Sequence, residues 1–128
     1  MKCKDIYDLA LALLGEDVSG TLCTDYEGRA PYLIGAFCAI NAENDANYRK
    51  YKDLPTQSLS FEVMSLDEDF PLSDAFCAAG GYYLASLLIF DSDVKRSDTL
   101  FARSAKEIEL ITSSFPFESH STLNVYKN

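Results

Sequence analysis

The chain has 128 residues, 48% of them hydrophobic and 24% charged, which favours one globular domain that folds without disulfides or metals and excludes a disordered chain. A net charge of −9 repels phosphate backbones and excludes tight, sequence-independent nucleic-acid binding. It would nevertheless suit the wall of a channel through which DNA passes without adhering. No apolar run approaches the roughly 20 residues that span a bilayer, and the first residues do not form a signal peptide, so we expect a protein that is neither secreted nor membrane-bound.

Apolar residues at helical spacing predict two amphipathic helices in the first third of the chain. The first covers residues 4–14 and ends at Gly15, a residue suited to the left-handed conformation that follows many helices. The second covers residues 25–44, with Asp25 as its N-cap. Pro31 then lies either in the first turn or at the start of the regular helix.

In the middle of the chain, the spacing of apolar residues changes from a helical pattern to an alternating one. Residues 45–52 either continue the second helix or form a separate turn, and residues 54–55, a Leu-Pro pair, break the pattern. Residues 57–66 alternate between apolar and polar, which predicts one short β-strand or hairpin arm. A single strand is not stable alone, so this arm must pair within the chain or with a neighbouring subunit. Its apolar positions are Leu59, Phe61 and Val63.

Two further helices complete the predicted bundle. The third covers residues 74–90 with Ser73 as its N-cap, and it is apolar nearly all round, as expected of a central helix. Gly80-Gly81 weakens this helix, and close approach by another helix would explain the pair. The fourth begins at Ser92 or Asp93 and ends near residue 113. Its apolar positions are Leu100, Phe101, Ala105, Ile108 and Ile111.

These elements predict an all-α, four-helix-type bundle occupying residues 1–128 as one domain. Residues 1–114 form the helical core, with the extended arm near residues 57–66, and residues 115–128 form an extended C-terminal tail. Apolar residues in the two non-helical segments have no obvious partner, so they are the candidates for interfaces or else fold back over their own bundle. They are Leu59, Phe61, Val63, Phe115, Phe117, Leu123, Val125 and Tyr126.

The chemical groups of the sequence do not predict a catalytic, cofactor or metal site. His120 is the sole histidine and lies in a serine-rich tail without a nucleophile motif. The cysteines lack metal-ligand spacing, and Cys38 and Cys77 fit core positions as reduced thiols. The acids of residues 67–69 are read as a lead-in to the positive N-terminus of the third helix; the alternative is a cation site formed by Asp67, Glu68 and Asp69. We therefore predict a binding protein and not an enzyme.

Two stretches resemble a known family. Residues 6–16, Ile-Tyr-Asp-Leu-Ala-Leu-Ala-Leu-Leu-Gly-Glu, resemble the first helix of the head–tail connector proteins of tailed bacteriophages, also called head-completion or adaptor proteins. Residues 69–88, Asp-Phe-Pro-Leu-Ser-Asp-Ala-Phe-Cys-Ala-Ala-Gly-Gly-Tyr-Tyr-Leu-Ala-Ser-Leu-Leu, look like the central apolar helix of that family.

The resemblance implies a virion structural protein without an active site. Its subunits would form a ring, commonly of twelve copies, between the portal and tail proteins, with arms exchanged between neighbours. Such a ring is a closed set of head-to-tail interfaces. The protein would then be found in the cytoplasm of a bacterial host and afterwards in the virion.

A second hypothesis does not depend on the resemblance. The alternative is a small phage or bacterial regulatory adaptor that binds a partner through a groove on its bundle. Neighbouring portal, capsid and tail genes would favour the connector over this adaptor.

Overall fold

The computed structural model describes residues 1–15, 22–55 and 63–115, with the backbone alone for residues 22–24. Helices dominate these ranges and no sheet forms within them, which confirms the mostly helical prediction. None of the described helices is both long enough and apolar enough to cross a membrane. The α-helices are α1 (Cys3–Leu14), α2 (Leu22–Ile40), α3 (Ala42–Tyr51), α4 (Cys77–Leu88) and α5 (Val94–Thr112).

α1 forms as its sequence predicts. Ile6, Ala10 and Leu14 are buried at helical spacing, so one face of the helix enters the core. Gly15 adopts φ 73° and ψ 21°, and its amide N–H donates to carbonyls of the last turn. Arg96 of α5 donates from Nη2 to the Leu13 carbonyl at 2.8 Å, which ties this helix end to the far side of the bundle.

α2 differs from the prediction at both ends. It begins at Leu22, so Asp25 lies in its first turn and is not the N-cap, and Pro31 lies in its interior. Proline removes one helical hydrogen bond, yet Ala30 beside it is fully buried, and core packing holds this segment helical. α2 ends at Ile40, and the Phe37 carbonyl there accepts from both the backbone amide of buried Asn41 at 3.0 Å and its side-chain Nδ2 at 3.1 Å.

α3 is a separate helix from Ala42 to Tyr51, so residues 42–44 do not belong to α2, and residues 45–52 neither continue the second helix nor form only a turn, the two predicted possibilities. Its buried Asp45 accepts from Arg49 Nε at 2.8 Å through Oδ2 and from the Ser73 backbone amide at 2.8 Å through Oδ1. Arg49 also donates to the Pro71 carbonyl at 3.2 Å. This ion pair fixes the segment that enters α4 and satisfies buried polar groups on both sides.

The predicted strand or hairpin arm does not appear in the part of it that the structure describes. Residues 56–62 lie outside the described ranges, and residues 63–66 pair with no strand. The Met64 amide instead donates to the Pro31 carbonyl at 2.9 Å, and the Leu66 carbonyl accepts from the Lys4 amide at 3.0 Å. The Lys4 amide, in the first turn of α1, therefore binds this segment in place of a neighbouring strand.

The acidic cluster lies at the N-terminus of α1 and not, as predicted, at that of the central helix. The Glu68 carbonyl accepts from the Cys3 amide at 2.9 Å, and the Asp69 carboxylate pairs with Lys2 at 3.0 Å. Asp74 supplies the acid in the first turn of the short 3₁₀-helix, Asp74–Phe76, that precedes α4. The Glu68 carbonyl and the Asp69 carboxylate thus contact the first residues of the chain, whereas the Glu68 carboxylate accepts from the Ser65 amide at 3.0 Å.

α4 is central, as predicted, and begins after the 3₁₀-helix with no side-chain cap from the expected Ser73. It packs against α1 and α2 on one side and α5 on the other. A Cβ added at Gly81 would lie 2.5 Å from Leu9 Cδ2, and one added at Gly80 would lie 3.3 Å from Phe37 Cε2. The close helix approach predicted for the glycine pair is therefore confirmed.

α5 packs on α4 through serines, which the sequence analysis did not predict. Ser97 and Ser104 are the buried residues of α5. Ser97 Oγ donates to the Ser86 carbonyl at 2.7 Å, and Ser104 Oγ donates to the Ala79 carbonyl at 2.8 Å. Because Ser97 pairs with Ser86 and Ser104 pairs with Ala79, the two helices run antiparallel. Small residues two turns apart on each helix form their interface, which we call the seam. Of the predicted apolar positions, Leu100, Ile108 and Ile111 pack partly against the core, whereas Phe101 and Ala105 are exposed.

Candidate interaction surface

A line of aromatic rings runs from the core to the surface at the α4–α5 seam. Tyr83 of α4 lies 5.3 Å from the ring of buried Phe37 and 6.1 Å from the ring of Phe101, measured between ring centroids. Tyr83 is half-buried and Phe101 is 49% exposed. Burial raises the pKa of the Tyr83 hydroxyl above its ordinary value. Tyr83 therefore supports Phe101 from below and connects it to the rigid core.

The two edges of this seam differ in chemistry. On one edge, Arg103 lies 5.0 Å above the ring of Tyr82 and pairs with Glu107 at 3.2 Å. On the other edge, Phe101 packs on Tyr83, and Val94 lies two turns earlier on the same face of α5. One edge is thus polar and satisfied within the chain, and the other is apolar.

Three large side chains are exposed on the apolar edge of α5 and in the turn that leads into it. Phe90, in the turn between α4 and α5, is 51% exposed; Val94 is 54% exposed and Phe101 is 49% exposed. We call Phe90, Val94 and Phe101 the apolar strip. Isolated exposed hydrophobics are common on protein surfaces, but Val94 and Phe101 share one face of α5, and the half-buried ring of Tyr83 supports Phe101, which makes this edge the candidate interaction surface.

Carboxylates border the apolar strip. Asp91 and Asp93 precede α5, and Asp98 lies one turn from both Val94 and Phe101; all three acids are exposed. Asp93 also caps α5 by accepting from the Arg96 amide at 3.0 Å, as the sequence predicted for Ser92 or Asp93. An occupant of the strip would therefore meet an apolar centre with an acidic border.

The predicted interface residues are placed unevenly. Val63 is described and 46% exposed. Phe115 is half-buried, and its ring lies 6.2 Å from that of Tyr48 and 5.8 Å from that of Tyr51, so it folds back over its own bundle. The remaining six predicted positions lie outside the described residues: Leu59, Phe61, Phe117, Leu123, Val125 and Tyr126.

Sequence reasoning missed the apolar strip because it assigned Phe101 to the core face of α5. The better signal was the spacing of small residues: Ala79 and Ser86 on one helix, Ser97 and Ser104 on the next, each pair seven residues apart. Small residues at this spacing allow two helices to pack closely. If the face of α5 that carries Ser97 and Ser104 packs on α4, Phe101 lies at one side of that face and stays exposed.

The described thiols are protonated at neutral pH. Cys3, Cys38 and Cys77 are free and buried, which confirms that Cys38 and Cys77 are core residues. Burial is the main cause that raises the pKa of Cys38 to about 12 and the pKa of both Cys3 and Cys77 to about 11. A thiolate is the nucleophilic form of cysteine, so these three side chains are poor nucleophiles where they lie.

The carboxylates of residues 67–69 do not converge on one point with a third described metal-ligating side chain. Within the described ranges, no three His, Cys, Asp or Glu side chains come together as metal ligands. The hydrogen bond from Lys2 holds the pKa of the Asp69 carboxyl below its ordinary value. His120 lies outside the described residues.

Comparisons with protein-family models, with curated proteins and with solved structures find no match to this chain. The function is therefore proposed from the surface of the molecule and from the resemblance of residues 6–16 and 69–88 to head–tail connector proteins.

Proposed function

We propose that this chain is a structural subunit of a tailed-phage virion, similar to head–tail connector proteins, which assembles as a ring between portal and tail proteins. The observation that carries the proposal is the apolar strip of Phe90, Val94 and Phe101, exposed on a well-packed helical body. Such a surface supports a role in protein binding, and the resemblance of two stretches of sequence supports the connector family.

The packing of the two resembling stretches supports the same proposal. Residues 6–16 contain most of α1, and residues 69–88 contain α4. These helices pack directly on each other, with Leu9 against Gly81. The resemblance therefore falls on one packed unit of the core and not on two unrelated segments.

The size of the apolar strip predicts weak pairwise binding. Each of its three side chains is about half exposed, so complete burial would contribute about 1 kcal/mol per side chain, half the typical value for a large apolar residue. A total of about 3 kcal/mol does not offset the roughly 4–15 kcal/mol that association costs. A ring in which each subunit has two neighbours and also rests on a portal gains from multivalency. We therefore expect a monomer in dilute solution that assembles on its partner.

The negative charge of the protein is compatible with a DNA passage. At −9, the ring would repel the phosphate backbone, and DNA would move through it without adhering.

The direct test is co-sedimentation with portal and tail proteins of a tailed phage. The unmodified chain should bind, and Val94→Asp and Phe101→Asp should each weaken binding by about tenfold or more, which corresponds to about 1.4 kcal/mol. Leu110→Asp is the matched control, because Leu110 is 54% exposed on the same helix but lies on another face. A chain that stays monomeric at every concentration and binds neither protein would contradict the proposal.

A further inference from the structure

The apolar strip lies along one wall of a groove whose other wall is α2. α2 and α5 both pack on α4, but their backbones hardly approach each other along the described chain, so a gap separates them. We propose that this gap binds a basic amphipathic helix of a partner protein. The inference rests on the proposed function, because it assumes that the apolar strip is a binding surface. It adds the second wall of the site and the chemistry of the partner.

Ring contacts define the cross-section of the groove. The ring of Tyr83 on α4 lies between Phe37 of α2, at 5.3 Å, and Phe101 of α5, at 6.1 Å. Phe37 is buried at the base of the α2 wall, whereas Phe101 is half exposed. Because Tyr83 is only half-buried between them, its ring forms the floor of an open gap.

Contacts along α4 show that the two walls run in the same direction. Phe37 lies beside Gly80, and Arg29 donates from Nη2 to the Leu88 carbonyl at 2.9 Å, so α2 is antiparallel to α4. The serine hydrogen bonds of the seam make α5 antiparallel to α4 as well. α2 and α5 are therefore parallel to each other on either side of Tyr83. Helices arranged in this way form the kind of groove into which amphipathic helices bind.

Helical spacing places Leu33 and Ile40 on the α2 wall. Pro31 lies about two and a half turns before Ile40, on the opposite side of the helix, and its carbonyl accepts from the Met64 amide. Residues 63–66 also bind α1, so that side of α2 faces away from α5. Leu33 is half-buried and Ile40 is 65% exposed. The wall that faces α5 is therefore apolar and open.

The walls are long enough for two to three turns of a helix. Val94, Phe101 and Ala105 lie along one edge of α5 and are exposed, and the distance from the first to the last is about 17 Å at about 1.5 Å per residue. On the facing wall, Leu33 to Ile40 covers about 11 Å. A bound helix would contact both walls through apolar residues three, four and seven positions apart.

The charges around the groove favour a basic occupant over a second copy of this chain. Asp98 is exposed on the groove edge of α5, and Glu43 is exposed just beyond Ile40 of the other wall. Arg103 lies on the opposite edge of α5, where it contacts the ring of Tyr82. A second copy carries a net charge of −9 and would be repelled, whereas lysine or arginine beside the apolar face of a partner helix would pair with these carboxylates.

A synthetic helical peptide of leucine and lysine, with leucine at positions three and four apart, is the probe, and its glutamate analogue is the charge control. Fluorescence anisotropy with the full chain measures the binding of both. We expect the lysine peptide to bind at least tenfold more tightly than the glutamate peptide, and added salt to reduce this difference.

Neutral substitutions on the two walls test the groove without changing the charge of the protein. Ile40→Asn and Phe101→Asn should each weaken binding of the lysine peptide at least tenfold. Val63→Asn and Leu110→Asn are the matched controls, because both positions are about half exposed but lie away from the groove, and they should bind as the unmodified chain does. Circular dichroism melting of each variant shows that the body remains folded.

The outcomes separate this inference from the proposed function. Weakened binding in the Phe101 variant alone would overturn the inference, because α5 would then bind without the α2 wall. Equal binding of the two peptides, or binding of neither, would overturn it as well. Self-association that both wall variants abolish would show a second copy in the groove and would also overturn it. In each case, portal binding that depends on Val94 would leave the proposed function standing. Binding of the lysine peptide as expected, by a chain that binds neither portal nor tail protein, would refute the proposed function alone.

Discussion

Gly81→Ala should destabilise the fold, although alanine favours helices. The helix-propensity gain is about 1 kcal/mol. The new Cβ would lie 2.5 Å from Leu9 Cδ2 and 2.7 Å from Leu9 Cγ, too close for both atoms to stay in place. Overpacking of this kind costs about 1–3 kcal/mol, so we expect a net loss of up to about 2 kcal/mol.

Gly28→Ala is the matched control, because Gly28 is exposed in α2 and a Cβ there meets nothing within 4 Å. It should stabilise the protein by about 1 kcal/mol through propensity alone. Urea unfolding followed by circular dichroism measures both variants, and the propensity gain cancels in their difference, which isolates the clash with Leu9. In the double variant Leu9→Ala/Gly81→Ala, the second change should cost much less than it does alone. If Gly81→Ala stabilised the fold as much as Gly28→Ala, the close packing of α1 on α4 would be refuted.

Three further changes test the seam, the ion pair and the buried thiols. Ser104→Ala removes the hydrogen bond to the Ala79 carbonyl and should cost about 1 kcal/mol in urea unfolding, whereas Ser104→Leu should cost more because the seam has no room for it. Asp45→Ala leaves Arg49 half-buried without its carboxylate and should lower stability by about 2–4 kcal/mol. Asp45→Asn should lose less, because its amide oxygen still accepts a hydrogen bond. Equal stability of the unmodified chain and both variants would contradict the structure. Burial raises the pKa of the Cys38 thiol from about 9 to about 12 in the folded protein. Between these pH values the thiol is ionised in the unfolded chain and protonated in the folded chain, so the free energy of unfolding should fall as pH rises. Cys38→Ala should reduce that slope by about 1.4 kcal/mol per pH unit, and an unchanged slope would show that another group is responsible.

Local chemistry was sufficient for the helices whose pattern is one-sided. α1 has a single apolar face and ends at Gly15, so its bounds follow from spacing and from the left-handed conformation that glycine allows. The start of α5 follows from the Asp93 cap in the same way. The glycine pair of α4 also signalled a close neighbour, because glycine at a helix centre is otherwise unfavourable.

Tertiary contacts decided the rest. Pro31 lies inside α2 because the buried residues around it keep the segment helical. Local helix propensity does not predict this effect, because it depends on packing against the rest of the chain. Residues 63–66 bind the carbonyl of Pro31 and the Lys4 amide of α1, distant groups that the alternating pattern of this segment does not predict. Phe101 is exposed because Ser97 and Ser104 face α4, and hydroxyls that donate to carbonyls allow closer helix packing than an aromatic ring would. The spacing of apolar residues along the chain is enough to predict a helical protein. The antiparallel seam of α4 and α5 decides that Phe101 stays at the surface, because the buried serines occupy the face of α5 that packs on α4.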